Sequence, residues 1–312
     1  MSAPAGDASA GARDSARLVA VTGASGFIGT ALVALLEQRG DTVIRIGRSA
    51  PPPGTRGIRW DPERAQLDFA ALEGVHAVFH LAGENIGQRW SIEVKRRIRD
   101  SRLRGTELLA GALARLEQPP AVLVSQSATG YYGERGDEEL DETSGPGTGF
   151  LAGVVVEWEA ATGAAREAGV RVVIPRTGVV LHPSGGALER LLTPFRLGVG
   201  GPIGDGKQWM SWISRPDLVE LLYWLSREPI DGPVNAVTPT PVRNAEFAST
   251  LGAVLNRPAL LPTPVTALKL LFGEMAEATI LASHRVLPHR ALQYGFSFRH
   301  PTLEPALEDL LK

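Results

Sequence analysis

The sequence predicts an α/β fold, in which a doubly wound parallel sheet is followed by a smaller, mostly helical C-terminal domain. Over residues 17–181, short apolar runs of strand length alternate with longer segments of helical periodicity, which is typical of βαβ crossovers. After these residues the pattern changes to glycine-rich loops and helical segments that proline interrupts repeatedly. We therefore expect a sheet domain over residues 17–181 and a cap domain over residues 182–312, with residues 213–228 packing back onto the sheet domain.

Six apolar runs have the length of strands and are bounded by turn-forming residues. In chain order they are residues 18–21, 42–46, 58–60, 77–81, 121–124 and 170–174. The segments with helical spacing are residues 27–36, 92–116, 151–168 and 217–225. Gly40 follows the first of them at the position where glycine commonly ends a helix. This order of elements predicts a parallel sheet with helices on both faces.

Composition excludes several classes of protein. The 312 residues carry a net charge of −2, and their scattered charges provide no field that favours nucleic acid or an anionic membrane. The chain has no cysteine, which excludes a disulfide scaffold, a cysteine nucleophile and a thiolate metal site. No apolar stretch approaches the roughly 18–20 residues of a membrane span. Residues 1–16 are mostly Ala, Gly, Ser and Asp and predict a disordered leader; we expect a cytoplasmic protein.

A glycine-rich turn follows the first predicted strand and opens the first predicted helix. Such a turn lets backbone N–H groups approach a pyrophosphate, and the helix N-terminus adds a favourable dipole. The alternative is that the glycines only form a tight turn, but the strand-turn-helix context favours a Rossmann-type dinucleotide site. The residues expected to bind the cofactor here are Gly23, Ser25, Gly26, Phe27, Ile28 and Gly29.

The end of the second strand predicts which dinucleotide is preferred. A carboxylate at this position accepts a hydrogen bond from the ribose 2′-OH of NAD, whereas an arginine meets the 2′-phosphate of NADP. The chain has Arg48 and no carboxylate there. The guanidinium is permanently charged and matches phosphate geometry, so NADP is the expected cofactor, although Arg48 is also compatible with a solvated loop residue.

Motifs spread over residues 17–312 resemble one branch of the extended short-chain dehydrogenase/reductases. This branch is the atypical, epimerase-like group with a C-terminal domain of unknown function. The motifs are Leu81-Ala-Gly-Glu-Asn-Ile86, Arg89-Trp90, Ser101-Arg102 with Gly105-Thr106, Gly130-Tyr-Tyr-Gly133, Trp158-Glu159, Gly200-Gly-Pro-x-Gly204, residues 209–213 and residues 241–247. The resemblance implies an NAD(P)-dependent oxidoreductase or epimerase.

The resemblance also implies further cofactor contacts. Asp61 would face the adenine, and Leu81 and Ala82 would pass the adenine side of the cofactor. Arg102 would lie on the long helix beside the nucleotide, and Val180 near the nicotinamide. Core positions for Leu81 and Val180, and a solvated helix face for Arg102, are the structural alternatives.

The proton-transfer pair of this superfamily is missing. Ordinary members have a tyrosine and a lysine four residues apart, in which the cation lowers the tyrosine pKa. None of the chain's four lysines follows a tyrosine at that spacing, and residues 150–154 at the expected place read Phe-Leu-Ala-Gly-Val. Ser127 matches the family's substrate-holding serine, although turn chemistry is an alternative. Tyr131 and Tyr132 are the candidate proton donors, although Tyr132 is equally compatible with packing of the turn.

Two functions follow from these observations. The first is an NADP-dependent oxidoreductase or epimerase acting on a small polar or nucleotide-linked substrate; the second is a non-catalytic NADP-binding sensor. A glycine-rich loop that could close over a substrate contains Lys207, Gln208, Trp209 and Trp212. No metal site is predicted, because His76 and His80 lie across a strand rather than on a helix face. We expect a small-molecule partner and no nucleic-acid or membrane partner, and the long helices are compatible with a homodimer.

Overall fold

The structure is a computed structural model, and it describes residues 16–49, 51 and 53–312. The predicted leader, residues 1–16, lies outside these residues except for Ala16. The strands are β1 Leu18–Thr22, β2 Thr42–Gly47, β3 Arg56–Asp61, β4 Gln66–Leu67, β5 Ala77–His80, β6 Val122–Ser125, β7 Ser127–Ala128, β8 Glu139–Leu140, β9 Arg171–Thr177, β10 Val179–His182, β11 Trp209–Met210, β12 Trp212–Ser214, β13 Gly232–Ala236, β14 Val242–Arg243 and β15 Arg285–Val286.

The α-helices alternate with these strands in the first half of the chain and dominate its end. They are α1 Gly29–Gln38, α2 Ile92–Leu113, α3 Phe150–Ala160, α4 Gly163–Glu167, α5 Gly186–Arg196, α6 Arg215–Leu225, α7 Asn244–Val254, α8 Val265–Phe272, α9 His289–Gln293 and α10 Leu303–Leu311. Short 3₁₀ turns cover Pro62–Arg64, Phe69–Leu72 and Thr129–Tyr132, and a π-helical turn covers Ala276–Ile280.

The central sheet confirms the predicted fold class. Its strand order is β13-β9-β6-β5-β1-β2-β3-β4, with β7 also paired to β9. Its ladders are parallel except that between β3 and β4. One apolar cluster joins one face of the sheet to α1 and α6, and a second joins the opposite face to α2. All carboxyl ends of the parallel strands therefore meet at one edge, where ligands bind in such sheets.

The predicted helix over residues 151–168 is two helices in the structure, α3 and α4. The break falls at Ala161 and Thr162, and the Thr162 hydroxyl donates to the Glu159 carbonyl at 2.7 Å. Such a local side-chain bond competes with the helical ladder, and Gly163 follows directly. The helical periodicity of the segment continues across the break, which explains why it reads as a single helix.

The edge strand β13 lies within the segment that the sequence assigned to the cap. It pairs in parallel with β9, although Gly232 and Pro233 are residue types that are unfavourable in strands. Proline is tolerated there because an edge strand has one side without a partner. Helix α6 packs on α1, and Leu218 and Leu222 share a core cluster with Leu32. The division at residue 181 stays a prediction, but these two elements join the sheet.

The remaining elements of the second half have a core of their own. Leu188, Phe195, Trp212, Phe247 and Leu307 form a buried cluster between α5, α7 and α10. This cluster gives the cap an apolar interior separate from the two clusters that flank the sheet. Across the part of the chain that the structure describes, no helix is both long and apolar enough to cross a bilayer.

Candidate functional site

The glycine turn occupies the carboxyl end of β1, and two of its glycines are sterically required. Gly23 has φ +67°, and a Cβ there would lie 3.0 Å from the Leu81 carbonyl carbon and the Ala82 nitrogen. A Cβ on Gly29 would lie 2.1 Å from the Gly23 carbonyl oxygen, which is far inside van der Waals contact. The turn is closed by the Gly26 N–H, which donates to the Gly23 oxygen at 2.9 Å. Its shape therefore depends on the absence of side chains at these positions.

The first turn of α1 is open to an anion. Ile28, the residue before the helix, provides no side-chain cap, and Ser25 and Gly26 are exposed. Uncapped N–H groups at a helix N-terminus carry a partial positive charge and bind phosphate readily. A dinucleotide pyrophosphate therefore fits this cradle, since the glycines leave room for it and the backbone supplies the donors.

A series of buried hydrogen bonds at the ends of β1 and β5 holds the turn in place. Thr22 Oγ1 accepts from the N–H groups of Leu81 and Ala82 at 3.1 and 3.2 Å, and lies 2.8 Å from His80 Nδ1. Because both acceptor sites of the hydroxyl are taken, Thr22 donates to Nδ1, and His80 Nε2–H donates to Thr106 Oγ1 at 3.0 Å. Burial lowers the pKa of His80 to about 4, so the imidazole is neutral at pH 7.

The predicted 2′-phosphate ligand lies at the carboxyl end of β2. Arg48 is exposed and has no hydrogen bond or ion pair with any residue that the structure describes. Gly47 precedes it, and a Cβ there would meet nothing within 4 Å. Asp61 ends the neighbouring strand β3, and its Oδ1 caps the following 3₁₀ turn by accepting from the N–H groups of Glu63 and Arg64.

Arg102 lies on α2 beside the end of β5. Its Nη1 donates to the carbonyls of Glu84 and Ile98, both at 3.1 Å, and its guanidinium lies over the Trp158 ring. Burial lowers the pKa of Arg102 to about 10, and no carboxylate of the described chain forms an ion pair with it. A cation held in this way gains from a nearby anion, which fits the predicted position beside the nucleotide.

Phe27 and Val180 connect the turn to the cap. The Phe27 ring fills the space where a Cβ on Gly185 would lie, at 2.4 Å, and the Arg215 guanidinium covers the ring at 5.1 Å from its centroid. Val180, on β10, is half-buried against the same apolar cluster as Ile28. The structure therefore brings all the predicted cofactor residues to the carboxyl edge of the sheet or directly beside it.

At the other end of this edge, polar side chains are paired with one another. The Ser127 hydroxyl donates to Glu159 Oε1 at 2.6 Å, and Glu159 also accepts two hydrogen bonds from Arg176 at 2.9 and 2.8 Å. We call Ser127, Glu159, Arg176 and Tyr132 the serine–arginine network. Burial alone would lower the pKa of Arg176, but the contacts with Glu159 and Tyr132 raise it above its ordinary value.

Tyr132, the second candidate proton donor, is enclosed in the structure. The residue is 0% exposed, and its hydroxyl lies 2.7 Å from Asn235 Oδ1 and 2.9 Å from the Asp141 carbonyl. Arg176 Nη1 donates to the same oxygen at 3.1 Å. Burial raises the pKa of Tyr132 to about 12, which opposes proton release. These contacts favour the structural alternative, in which Tyr132 packs the turn.

Tyr131 is placed differently from its neighbour. It is half-buried, and its ring lies against the Arg176 guanidinium at 3.4 Å from the centroid. Its hydroxyl has no hydrogen-bond partner among the described residues. Of the three candidate catalytic residues, Tyr131 alone combines partial exposure with an unoccupied hydroxyl.

The comparisons with known proteins decide the family. A family model described as NAD dependent epimerase/dehydratase matches residues 19–237, and a model described as a domain of unknown function (DUF1731) matches residues 263–310. The chain belongs to the NAD dependent epimerase/dehydratase family. The predicted resemblance to the extended reductase branch is thereby confirmed.

Relatives in this family cover nearly the whole chain. An epimerase family protein of Mycobacterium tuberculosis is 44% identical over 292 residues, which are 93% of this chain and 96% of the relative. The human epimerase family protein SDR39U1 is 39% identical over 298 residues, 94% of this chain and 99% of the relative.

Two solved structures are similar in fold and in sequence. A crystal structure of human SDR39U1 (isoform 2) with NADPH has a TM-score of 0.85 and 36% identity, covering 94% of this chain and 98% of its own. A nucleoside-diphosphate sugar epimerase from Corynebacterium glutamicum has a TM-score of 0.79 and 38% identity, covering 95% of this chain and 58% of its own.

The family's tyrosine and lysine are replaced in this member by Phe150 and Val154, whose surroundings are apolar. Val154 is buried, and the Phe150 ring packs edge-on against Trp90 with centroids 5.2 Å apart. The Lys95 ammonium lies 5.0 Å above the Phe150 ring but is paired with Glu274. Neither position therefore supplies a group that can exchange a proton.

Sequence reasoning missed two members of the serine–arginine network, Glu159 and Arg176. Glu159 had been noted only as part of a family motif. Arg176 offered a clearer signal, because it directly follows the apolar run of residues 172–175 in strand β9. A charged residue inside a buried strand requires a partner, so its presence predicts a buried carboxylate nearby.

The predicted lid loop has mainly structural contacts. Trp212 is 0% exposed and donates from Nε1 to the Thr240 carbonyl at 3.2 Å. The Trp209 ring contacts the guanidinium groups of Arg243 and Arg285, which lie 4.3 and 4.8 Å from its centroid. Within the described residues, no group of three or more acidic or histidine side chains is arranged to hold a metal ion.

Proposed function

We propose that the protein binds NADP and is an oxidoreductase or epimerase acting on a small polar or nucleotide-linked substrate. The observation that carries the proposal is the glycine cradle, in which Gly23 and Gly29 leave no room for side chains and the start of α1 has no cap. Arg48 at the end of β2 supports NADP over NAD. The NADPH named for human SDR39U1, at 36% identity, adds support. When bound, the cofactor supplies hydride transfer.

Residues of the chain supply binding and proton exchange. Phe27 and Ile28 lie where they would hold the pyrophosphate side, and Arg48 where it would hold the 2′-phosphate. Tyr131 is the proposed proton donor to a substrate oxygen, because its hydroxyl is unoccupied. Arg176 fixes the Tyr131 ring through its face, and Glu159 fixes Arg176 by two hydrogen bonds. Ser127 acts in this arrangement through Glu159, because its hydroxyl donates a hydrogen bond to the Glu159 carboxylate.

Cofactor binding is tested by thermal unfolding with each dinucleotide. NADP at 100 times its dissociation constant raises the free energy of unfolding by about 2.7 kcal/mol, and NAD at the same concentration should raise it less. Absence of any shift with either dinucleotide at saturation would overturn the proposal.

Catalysis is tested by Tyr131→Phe. NADPH consumption is followed over a panel of aldehydes, ketones and nucleotide-linked sugars. We expect the variant to lower kcat by about 100-fold or more, because loss of general acid catalysis costs roughly 10²–10⁴ in rate, and to keep its NADPH affinity. Tyr294→Phe is the matched control, since Tyr294 is 43% exposed at the end of α9 and should behave as wild type. Equal turnover by Tyr131→Phe would remove that residue from the chemistry.

A second candidate function is a non-catalytic NADP-binding sensor. Two observations favour it at the end of the carboxyl edge that holds Ser127, which we call the substrate end. Phe150 and Val154 replace the proton-transfer pair, and the Ser127 hydroxyl is hydrogen-bonded to Glu159. A protein saturated with NADPH that turns over no compound of the panel would support this alternative. Pull-downs with NADPH-bound and cofactor-free protein then decide it, because a sensor must hold at least one partner differently in the two states.

A further inference from the structure

A second arginine lies beside Arg48, on the adjacent strand. Arg59 of β3 pairs with Gly47 of β2, and Ile58 pairs with Ile46 in the same ladder. Ile46 and Ile58 both belong to the apolar cluster on the α2 face of the sheet. Since successive side chains of a strand point to opposite faces, Gly47 and Arg59 face the side of α1.

The contacts of Arg45 confirm this assignment of faces. Arg45 is two residues before Gly47, and its Nη2 lies 2.7 Å from Glu37 Oε1 of α1. That ion pair occupies Arg45. Arg59 is exposed and has no hydrogen bond or ion pair within the described chain. Arg59 thus has an unpaired charge on this face, at the carboxyl end of the two strands.

Gly47 leaves open space beside Arg59 at the end of β2. A Cβ on Gly47 would meet nothing within 4 Å, so no side chain separates Arg59 from the end of β2. Adjacent strands lie about 4.8 Å apart, which allows two long arginine side chains to reach one anion between them. Two arginines at adjacent strand ends, neither with an ion pair in the described chain, gain most from a dianion.

We propose that Arg59 is a second ligand of the NADP 2′-phosphate and forms a clamp with Arg48. This inference rests on the proposed binding of NADP. The ribose lies at the end of the second strand in sheets of this type. Arg48 follows that strand end directly, and Arg59 lies opposite Gly47 on the adjacent strand. A phosphate monoester offers three acceptor oxygens, enough for both arginine forks. NAD lacks this phosphate, so Arg59 contributes to the choice of cofactor.

The test measures affinity by isothermal titration and needs no substrate. The ligands are 2′,5′-ADP, 5′-AMP, NADPH and NADH, each at one fixed salt concentration. We expect Arg59→Gln to lower the affinity for 2′,5′-ADP and NADPH about tenfold. The affinities for 5′-AMP and NADH should change less than twofold. Arg59→Lys keeps the charge but loses the fork, so its loss should be smaller. The double variant Arg48→Gln/Arg59→Gln should lose less NADPH affinity than the product of the two single fold-losses if both arginines hold one phosphate.

Arg56→Gln is the matched control. Arg56 is an exposed arginine on the same strand, but it pairs with Ile44 at the amino end of the ladder. It should leave all four affinities within twofold of wild type. Unchanged NADPH affinity in Arg59→Gln, or equal losses for NADPH and NADH, would overturn the clamp while the proposed function stands. Failure of wild-type protein to bind 2′,5′-ADP and NADPH would overturn both.

Discussion

The two ends of the sheet's carboxyl edge are built in opposite ways. At the cofactor end, backbone geometry forms the site, and Arg48 and Arg59 have charges without partners among the described residues. At the substrate end, Ser127, Glu159 and Arg176 satisfy one another inside the protein. The first end is prepared for a ligand with negative charge. At the second end most polar groups are hydrogen-bonded to one another, and the Tyr131 hydroxyl alone of the candidate catalytic groups has no partner among the described residues.

The difference follows from the cost of burying charge. Arg176 and Glu159 have side chains only 4% and 12% exposed, so each needs the other to offset its desolvation. Arg48 and Arg59 remain hydrated and bear no such cost without a ligand. Variants in the two regions should therefore affect different quantities. Those at the substrate end should change the free energy of unfolding, and those at the cofactor end should change nucleotide affinity.

The largest expected effect is that of Glu159→Ala on stability. The variant leaves Arg176 buried without a counter-charge and removes the acceptor of Ser127. We expect it to lower the free energy of unfolding by about 3–5 kcal/mol, measured by chemical denaturation. The matched control is Glu220→Ala, which breaks the exposed pair with Arg39 and should cost about 1 kcal/mol or less. Similar costs for the two variants would contradict the contrast between the two ends.

Gly29→Ala should act on cofactor affinity. Its Cβ would overlap the Gly23 carbonyl oxygen, so the turn must change shape and the backbone donors move. We expect NADPH affinity to fall about 100-fold, equivalent to about 2.7 kcal/mol, in a titration of the folded variant. Gly111→Ala is the control, because Gly111 lies in α2 with nothing within 4 Å of an added Cβ. It should bind NADPH normally and gain about 0.5–1 kcal/mol of stability. Wild-type affinity in Gly29→Ala would show that the cradle does not hold the cofactor.

The smallest of the three effects is the pH dependence contributed by His80. Its pKa is about 4 in the folded protein against an ordinary 6.5, so between these values the unfolded state binds a proton that the folded state does not. Stability therefore falls as the pH drops through this range. We expect a loss of about 2 kcal/mol from this residue between pH 6.5 and pH 5. His80→Gln should lose correspondingly less over the same interval, and parallel pH profiles for the two proteins would contradict the buried neutral imidazole.

Much of the fold could be predicted from the sequence. The six predicted strands are present, because their apolar runs have strand length and are bounded by turn residues. The edge strand Gly232–Ala236 was missed because Gly232 and Pro233 are unfavourable in strands, and only pairing with β9 shows that this strand lies at an edge. The predicted cofactor residues meet at one edge because parallel strands bring their carboxyl ends together.

Local sequence determined six strands of the sheet and the glycine cradle, since strand length, helical period and missing side chains are properties of neighbouring residues. Tertiary structure alone distinguished Tyr131 from Tyr132. The two tyrosines are adjacent and identical in type, yet one is half-buried against Arg176 and the other is enclosed beside Asn235, 103 residues away. The packing of α3 and of the turn Thr129–Tyr132 against the sheet likewise decided the partners of Arg176. Strand register decided the position of Arg59 beside Gly47. Contacts between residues far apart in the chain leave no periodic signal, which is why only the folded molecule shows them.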